Sequence, residues 1–435
     1  MKYRLFSYLV VLALILSILG TASVSAAAYG TAFVTSITYQ NIGSEPAIIT
    51  VDFYDEETAT PLSITLASLP VGAGSSLYVG SVSGVSTGFS GSAVMSSSQP
   101  LAATLVQLPA GTTTVKNRPL SNGFSGGAAY VLVPTVLRNT FSTNSIFSVQ
   151  NTDTVAADVL VRFVPASGGA PIDLSIANLP PGAAKYFDLG TMTQLGTSFN
   201  GSVQVFAQDD GGAAGSGSVV ATAMELSTNS DNVYAFEGAA ESGNTVYMPS
   251  AFCKYGAGGA INSAYAVQNT SDSTDASVSV TYSNGSVDGP YVIAPGQKKS
   301  FPGCGVDTLN PVNPVGFIGS ATITSTGAPI VAIAKIGGAG LSTAFLGFIA
   351  GADKVALPYV RWTETKWVVG GYQRANIAIQ NVGTSELPAN SVSVKYYDKD
   401  GVLVGTHTIA TAIPVGGTPM LRNALPHHER DPSRE

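Results

Sequence analysis

One short segment around Ser86 matches the sequence pattern of a catalytic motif. Residues 84–88 read G-x-S-x-G, the pattern of a nucleophile elbow, in which a histidine base activates the serine. The elbow requires a strand before the serine and a helix after it, whereas loop-type residues flank this one. The only histidines are His407, His427 and His428. The segment therefore predicts a loop and no hydrolase.

Carboxylates on two turns could hold a cation or act as acid and base. Residues 209–211 read Asp-Asp-Gly and residues 398–401 read Asp-Lys-Asp-Gly, and calcium prefers oxygen ligands of this kind. Asp and Gly are also the common residues of hairpin turns. Calcium binding stays open, and paired carboxylates for glycoside hydrolysis are compatible with the spacing. Because no acid recurs at matching positions of the repeats described below, we predict no enzyme and no cofactor.

The two tryptophans belong to the most distinctive aromatic patch of the chain. Trp362 and Trp367 bracket the sequence W-T-E-T-K-W, and Tyr372 follows. Aromatic rings combine a large apolar face with a polar edge, so this patch is a candidate site for a carbohydrate or a protein partner. We favour the alternative, a strand whose indoles pack on a neighbouring repeat.

The N-terminus has the parts of a secretory signal peptide. Lys2 and Arg4 precede an apolar run at residues 9–19, and small residues at 24–28 offer cleavage sites. We expect residues 1–28 to be removed and the protein to be secreted or held at the cell surface; an uncleaved anchor is the alternative. No later apolar run reaches the length of a membrane span, so we expect none in the mature chain.

The two cysteines are expected to pair. Cys253 and Cys304 are 51 residues apart, and an oxidising compartment favours a disulfide. Two buried free thiols are the alternative. A catalytic cysteine would need a histidine partner, and no histidine precedes His407.

The composition is that of a folded protein with few charges. Apolar residues make up 45% and charged residues 11% of the 435 residues, against about 25% charged in typical globular domains. Disordered chains combine low hydrophobicity with high charge, so disorder is excluded. The formal net charge of −7 offers no electrostatic attraction to nucleic acid, and we predict no such partner.

Four sequence marks recur in the same order and define a tandem repeat. The first is an apolar-Gln-Asn step, whose glutamines lie 110, 118 and 112 residues apart: Gln40, Gln150, Gln268 and Gln380. The second is a Pro-Gly or Pro-x-Gly turn, which ends at Gly72, Gly182, Gly296 and Gly416. The third is a Phe-x-Gly-Ser step, which begins at Phe89, Phe199 and Phe317. The fourth, an apolar-Pro pair, opens the next copy at Val133, Met248 and Leu357.

Each copy reads as a series of short strands. Residues 48–54 alternate apolar and polar types, as do residues 278–282 and 392–396, which predicts half-buried strands. We count six to eight such strands per copy and find no helical period. A period near 110 residues with that many strands predicts an all-β fold of tandem immunoglobulin-like β-sandwich domains.

The recurring polar steps have a structural interpretation. Asn ends a strand because it bonds its own backbone two residues on, and Gln satisfies backbone groups at the sandwich edge. The Phe of the third mark is predicted to anchor the core, and its Gly to permit a bulge or a close strand approach.

The order of these marks, together with Gln-Pro-Leu-Ala-Ala at residues 99–103, resembles the tandem Ig-like modules of uncharacterised bacterial secreted and cell-surface proteins. The resemblance implies a sandwich array and an extracellular location, and it implies no activity. The expected domains are sandwiches at residues 29–129, 130–246 and 247–355, and a truncated fourth sandwich at 356–435.

The fourth copy is shorter than the period. This copy has only 79 residues, counted from Leu357 to the end; it lacks a Phe-x-Gly-Ser step and ends in a charged tail. A truncated reading frame, which we favour, and completion by another subunit both explain this. An incomplete sandwich exposes a strand edge, so we expect self-association through residues 356–420.

Together these patterns predict a non-enzymatic secreted or cell-surface protein with a structural or adhesive role and with protein or glycan partners. The alternatives are an extracellular carbohydrate-binding module array and an accessory region of a larger secreted enzyme.

Overall fold

The computed structural model describes residues 32–110, 117–363 and 373–422. These residues form 29 β-strands and three single 3-10 turns, with no α-helix among them. Every strand pairing is antiparallel. The predicted all-β class is confirmed. No helix of the described part is long and apolar enough to cross a membrane.

The first repeat has seven strands in two sheets, of order β4-β1-β6-β7 and β3-β2-β5. The strands are β1 (Ala32–Asn41), β2 (Ile49–Asp55), β3 (Leu62–Thr65), β4 (Gly74–Tyr78), β5 (Gly91–Ser97), β6 (Leu101–Ala110) and β7 (Leu120–Asn122), with a 3-10 turn at Val79–Ser81.

The second repeat has two four-stranded sheets, of order β12-β9-β14-β15 and β11-β10-β13-β8. Its strands are β8 (Tyr130–Arg138), β9 (Thr143–Asn151), β10 (Ala157–Pro165), β11 (Ile172–Leu179), β12 (Ala184–Asp188), β13 (Phe199–Asp209), β14 (Val219–Ser227) and β15 (Val233–Glu237), with a 3-10 turn at Thr193–Leu195.

The third repeat has the same strand order, β20-β17-β22-β23 and β19-β18-β21-β16. Its strands are β16 (Thr245–Cys253), β17 (Asn262–Asn269), β18 (Ala276–Tyr282), β19 (Val287–Ile293), β20 (Lys298–Pro302), β21 (Phe317–Thr326), β22 (Ile330–Gly338) and β23 (Leu341–Leu346), with a 3-10 turn at Ala257–Gly259.

The fourth repeat contains three strand pairs: β24 with β25, β26 with β29, and β27 with β28. The strands are β24 (Trp362–Thr363), β25 (Gln373–Arg374), β26 (Asn376–Ala378), β27 (Ser393–Tyr397), β28 (Leu403–Thr408) and β29 (Met420–Arg422). Within residues 373–422 there are no counterparts of β13, β14 and β15.

Each of the first three repeats encloses one apolar core between its two sheets. The aromatic residue of the Phe-x-Gly-Ser step packs into that core, as expected. Phe199 meets Phe163 edge to face at 6.1 Å between ring centroids, and Phe317 meets Tyr282 in the same way at 5.9 Å. A Cβ on Gly201 would overlap the Val164 carbonyl and the Phe199 ring, so the glycine allows this close approach.

The predicted disulfide is confirmed: Cys253 and Cys304 are bonded. Cys253, at the end of β16, lies in the core of the third repeat, and Cys304 follows β20. The bond therefore ties the first strand of this repeat to the loop that precedes β21.

Removing this disulfide is expected to destabilise the third repeat by about 4 kcal/mol, because it closes a long loop in the unfolded chain. Urea unfolding of the wild type with and without dithiothreitol measures the difference. The Cys253→Ala/Cys304→Ala double variant is the control, since the reductant should leave its unfolding curve unchanged. Equal curves for the oxidised and reduced wild type would contradict the expectation.

Candidate functional site: the joints between repeats

The Pro-Gly turn of every repeat presents a backbone carbonyl that the Gln-Asn step binds. In each copy Nε2 of the glutamine lies within hydrogen-bond distance of the turn glycine's carbonyl oxygen. The pairs are Gln40–Gly72 at 3.1 Å, Gln150–Gly182 at 3.0 Å, Gln268–Gly296 at 3.4 Å and Gln380–Gly416 at 3.5 Å. The expectation that the glutamine satisfies backbone groups is confirmed.

The same carbonyl also accepts a hydrogen bond from the preceding repeat. Its donor is the hydroxyl of the Phe-x-Gly-Ser serine. The pairs are Ser92–Gly182 at 2.6 Å, Ser202–Gly296 at 2.7 Å and Ser320–Gly416 at 2.5 Å. One serine and one turn glycine thus form the same hydrogen bond at three successive interfaces between repeats, which we call the first, second and third joints.

The first joint adds a charged contact and a ring contact. Lys185 forms ion pairs with Glu56 and Glu57 at the tip of the β2–β3 hairpin, and the Tyr186 hydroxyl donates to the Gly91 carbonyl at 2.6 Å. A Cβ on Gly182 would overlap the Tyr54 ring, and this residue has a φ of 75°. Both its backbone conformation and its neighbour therefore favour glycine here.

The second joint buries both apolar and charged groups. Val331 of the third repeat packs against Leu132 and Ala239 of the second. Across the joint, Lys335 forms an ion pair with Glu225, whose side chain is 1% exposed. Apolar packing therefore continues from one repeat into the next at this joint.

A second lysine is buried in this joint. Lys298, 6% exposed, donates from Nζ to Thr135 Oγ1 at 3.0 Å. Burial and, to a smaller extent, the like charge of Lys335 lower the pKa of Lys298 to about 7, against the opposing effect of Glu225. The amine therefore carries only part of a positive charge near neutral pH.

The third joint repeats the serine contact and extends it. Gln380 Nε2 also approaches the Ala321 carbonyl at 3.2 Å and Thr322 Oγ1 at 3.3 Å. The fourth repeat is thereby held along β21 of the third.

A further contact joins the fourth repeat to the first. The Gly74 amide donates to the Lys399 carbonyl at 3.1 Å, and Gly401 lies against the turn that contains Gly72. The first joint uses matching positions, since the Glu57 amide donates to the Ala184 carbonyl. Successive joints therefore lead around a closed circuit of four repeats.

The last strands of the first three repeats meet inside this circuit. Contacts join β7 with β15, β15 with β23, and β7 with β23. The Asn122 amide donates to the Glu237 carboxylate, and the Val233 amide donates to Ser342 Oγ at 2.9 Å. Burial raises the pKa of Glu237.

The aromatic and acidic residues singled out in the sequence do not form a common site, and of them the 398–401 turn lies at a joint, through Lys399 and Gly401. Trp362 lies in β24, where its backbone pairs with Arg374; Trp367 and Tyr372 lie outside the described residues, so the aromatic patch stays a prediction. Asp398 accepts from the amides of its own turn, as a hairpin tip does. Among the described residues no three His, Cys, Asp or Glu side chains form a metal-binding group.

The joint serine was missed as a functional residue. Its recurrence in three copies was a visible signal, but its acceptor lies 90 to 96 residues further along the chain. Neither residue therefore identifies the other from local pattern alone.

Comparison of the chain with protein-family models, with curated proteins and with solved structures found no match.

Proposed function

We propose that this chain is a secreted or cell-surface, non-enzymatic structural protein, built of Ig-like β-sandwich repeats that are locked into one fixed arrangement. The observation that carries the proposal is the repeated hydrogen bond from the Phe-x-Gly-Ser serine to the next turn glycine. Flexible arrays of domains have polar, small interfaces, whereas these joints bury charges, serines and apolar residues. A scaffold that holds surfaces at set distances is the role that such joints serve best.

The proposed location rests on the signal peptide predicted at residues 1–28, which lie outside the described residues, and it fits the disulfide, since disulfides persist in oxidising compartments. An adhesive role would place protein or glycan partners on the outer loops. Self-association through residues 356–420 remains part of the proposal.

Small-angle X-ray scattering of the monomeric chain tests the fixed arrangement. A compact chain of this length has a radius of gyration of about 22 Å, whereas four sandwiches in a straight row give about 40 Å. We expect a value near the first figure. A monomer near the second would contradict a closed circuit.

The substitution Ser202→Leu tests the joint itself. Ser202 is fully buried, so the larger side chain should loosen the contact between the second and third repeats. The radius of gyration should rise only slightly, because the remaining joints keep these repeats close, and the far-ultraviolet circular dichroism should keep its β signal. Ser175→Leu, at an exposed position of β11, is the matched control and should change neither. An unchanged radius in a folded Ser202→Leu variant would show that the joint does not depend on this contact.

A further inference from the structure

A pocket of about 290 Å³ opens at the second joint, close to the buried ion pair. Nine of its lining residues belong to the second repeat and one, Lys335, to the third. The lining includes Phe141, Thr143, Glu225, Ser227, Asn232 and Lys335. Small-molecule sites are concave and begin at about 300 Å³, so this pocket has the size for a small ligand.

One wall of the pocket is a strained loop that displays an aromatic ring. Between β8 and β9, the φ angles of Asn139, Phe141 and Ser142 are 46°, 53° and 52°, a left-handed conformation that bulky residues rarely adopt. Phe141 is nevertheless 78% exposed, so core packing does not explain it. Thr140 and Thr143 pair with each other, so Phe141 and Ser142 are the two central residues of a tight hairpin turn, positions that require positive φ and favour Asn and Gly.

The loop at the same place in the third repeat is longer and mostly uses glycine where φ is positive. Between β16 and β17, three of the four positive-φ positions are Gly256, Gly258 and Gly259, and the fourth is Lys254; glycine adopts this conformation without strain. The second repeat instead keeps a phenylalanine there. Its ring lies at the rim of the pocket, where the flat apolar face of a ligand could stack on it.

The floor of the pocket carries an unsatisfied acceptor. Glu225 Oε2 pairs with Lys335, but the buried Oε1 has no hydrogen-bond partner. Because Oε1 is closed off from solvent, a ligand in the pocket meets the hydroxyl and amide groups around Glu225 rather than this oxygen. One carboxylate faces one ammonium group, and the remaining polar lining is hydroxyl and amide.

We infer that this pocket binds a neutral carbohydrate, with a sugar ring stacked on Phe141 and sugar hydroxyls bonded to the Ser, Thr and Asn groups of the lining. A pyranose offers an apolar C–H face for the ring and several hydroxyls for the Ser, Thr and Asn groups. The Glu225 carboxylate would repel an anion such as phosphate, and the Lys335 ammonium group would repel a cation. A neutral polyol is repelled by neither group. The inference goes beyond the structural role proposed above and does not depend on it.

Saturation-transfer NMR on the full chain, with maltose, cellobiose, lactose and chitobiose as probes, tests the site. We expect transfer from at least one disaccharide at a concentration of about 10 mM, which suits the millimolar affinity of a shallow single site. No transfer from any of the four would overturn the inference.

The decisive variant is Phe141→Gly. Glycine relieves the left-handed strain, so the melting temperature should stay equal or rise, while removal of the ring should weaken binding at least tenfold. Phe141→Tyr keeps a stacking ring and should keep binding. Leu309→Ala, at a residue that is 88% exposed in another repeat, is the control for loss of an exposed apolar group.

A second variant, Asn232→Ala, removes a lining amide without touching the ring and should weaken binding several-fold in a folded protein. Sugar binding that is unaffected by both Phe141→Gly and Asn232→Ala would place the sugar elsewhere and overturn the inference.

The radius of gyration of the wild type tests the scaffold separately. A rigid scaffold without sugar binding and a flexible array that binds sugar are therefore distinguishable results.

Discussion

Lys298→Met is expected to stabilise the folded chain by about 4 kcal/mol at pH 7. The folded-state pKa of about 7 lies some 3.5 units below the ordinary value of 10.5, and each unit corresponds to about 1.4 kcal/mol. Loss of the bond to Thr135 offsets about 1 kcal/mol of that gain. A methionine fills a similar volume without a charge to desolvate.

The sign of the pH dependence follows from proton counting. Between about pH 7 and pH 10.5 the unfolded chain holds the Lys298 proton and the folded chain has released it, so stability rises with pH. Below about pH 7 the full penalty is present and constant. Wild type should therefore gain stability from pH 7 to pH 9.5, and the variant should lack most of that gain.

Urea unfolding at pH 7 and pH 9.5 measures both effects. Lys299→Met is the matched control, because the Lys299 side chain is partly exposed and its Nζ lies 4.8 Å from the Tyr291 ring centroid. A less stable Lys298→Met variant at pH 7 would mean that the buried amine contributes more through its contacts than it loses through desolvation.

Asn151→Ala is expected to destabilise the second repeat by about 3–4 kcal/mol. Asn151 is fully buried; its Nδ2 donates to the Val155 and Leu179 carbonyls at 2.8 and 2.9 Å, and its Oδ1 accepts from the Asp153 amide at 2.8 Å. Alanine leaves three backbone groups without their partner, at about 1–3 kcal/mol for each one that stays buried.

Asn200→Ala is the control for this substitution. It removes the same side chain from the same repeat, but Asn200 Oδ1 is buried and has no partner, so stability should change little. Denaturant unfolding followed by far-ultraviolet circular dichroism gives the free energy of unfolding of both variants. A loss under about 1 kcal/mol for Asn151→Ala would contradict the assigned role.

The interior of each repeat was predictable because its signals are local. Alternating apolar residues identify β2, β10, β18 and β27, and the Gln-Asn step identifies the end of the strand, since all four asparagines bond backbone groups within the same repeat. The aromatic residue of Phe-x-Gly-Ser was recognisable as core because an apolar residue at a recurring position has a simple interpretation.

The joints were not predictable for the opposite reason. Ser202 and Gly296 are each ordinary turn or strand residues, and only the packing of two repeats brings them together. Lys298 follows the same rule: one of two adjacent lysines in β20 must face inward, but nothing local shows that its amine enters a neighbouring repeat. Phe141 carried no signal either, because its backbone conformation is invisible in the sequence.

The contact between Lys399 and Gly74 has a mechanical consequence. In an open row, breaking one joint separates the chain into two independently moving parts. In a closed circuit, the two faces of a broken joint stay near each other through the remaining joints, so their effective concentration stays high and they reassociate. Separation then requires two failures at once, and a pulling force or a protease that opens a single joint leaves the assembly connected.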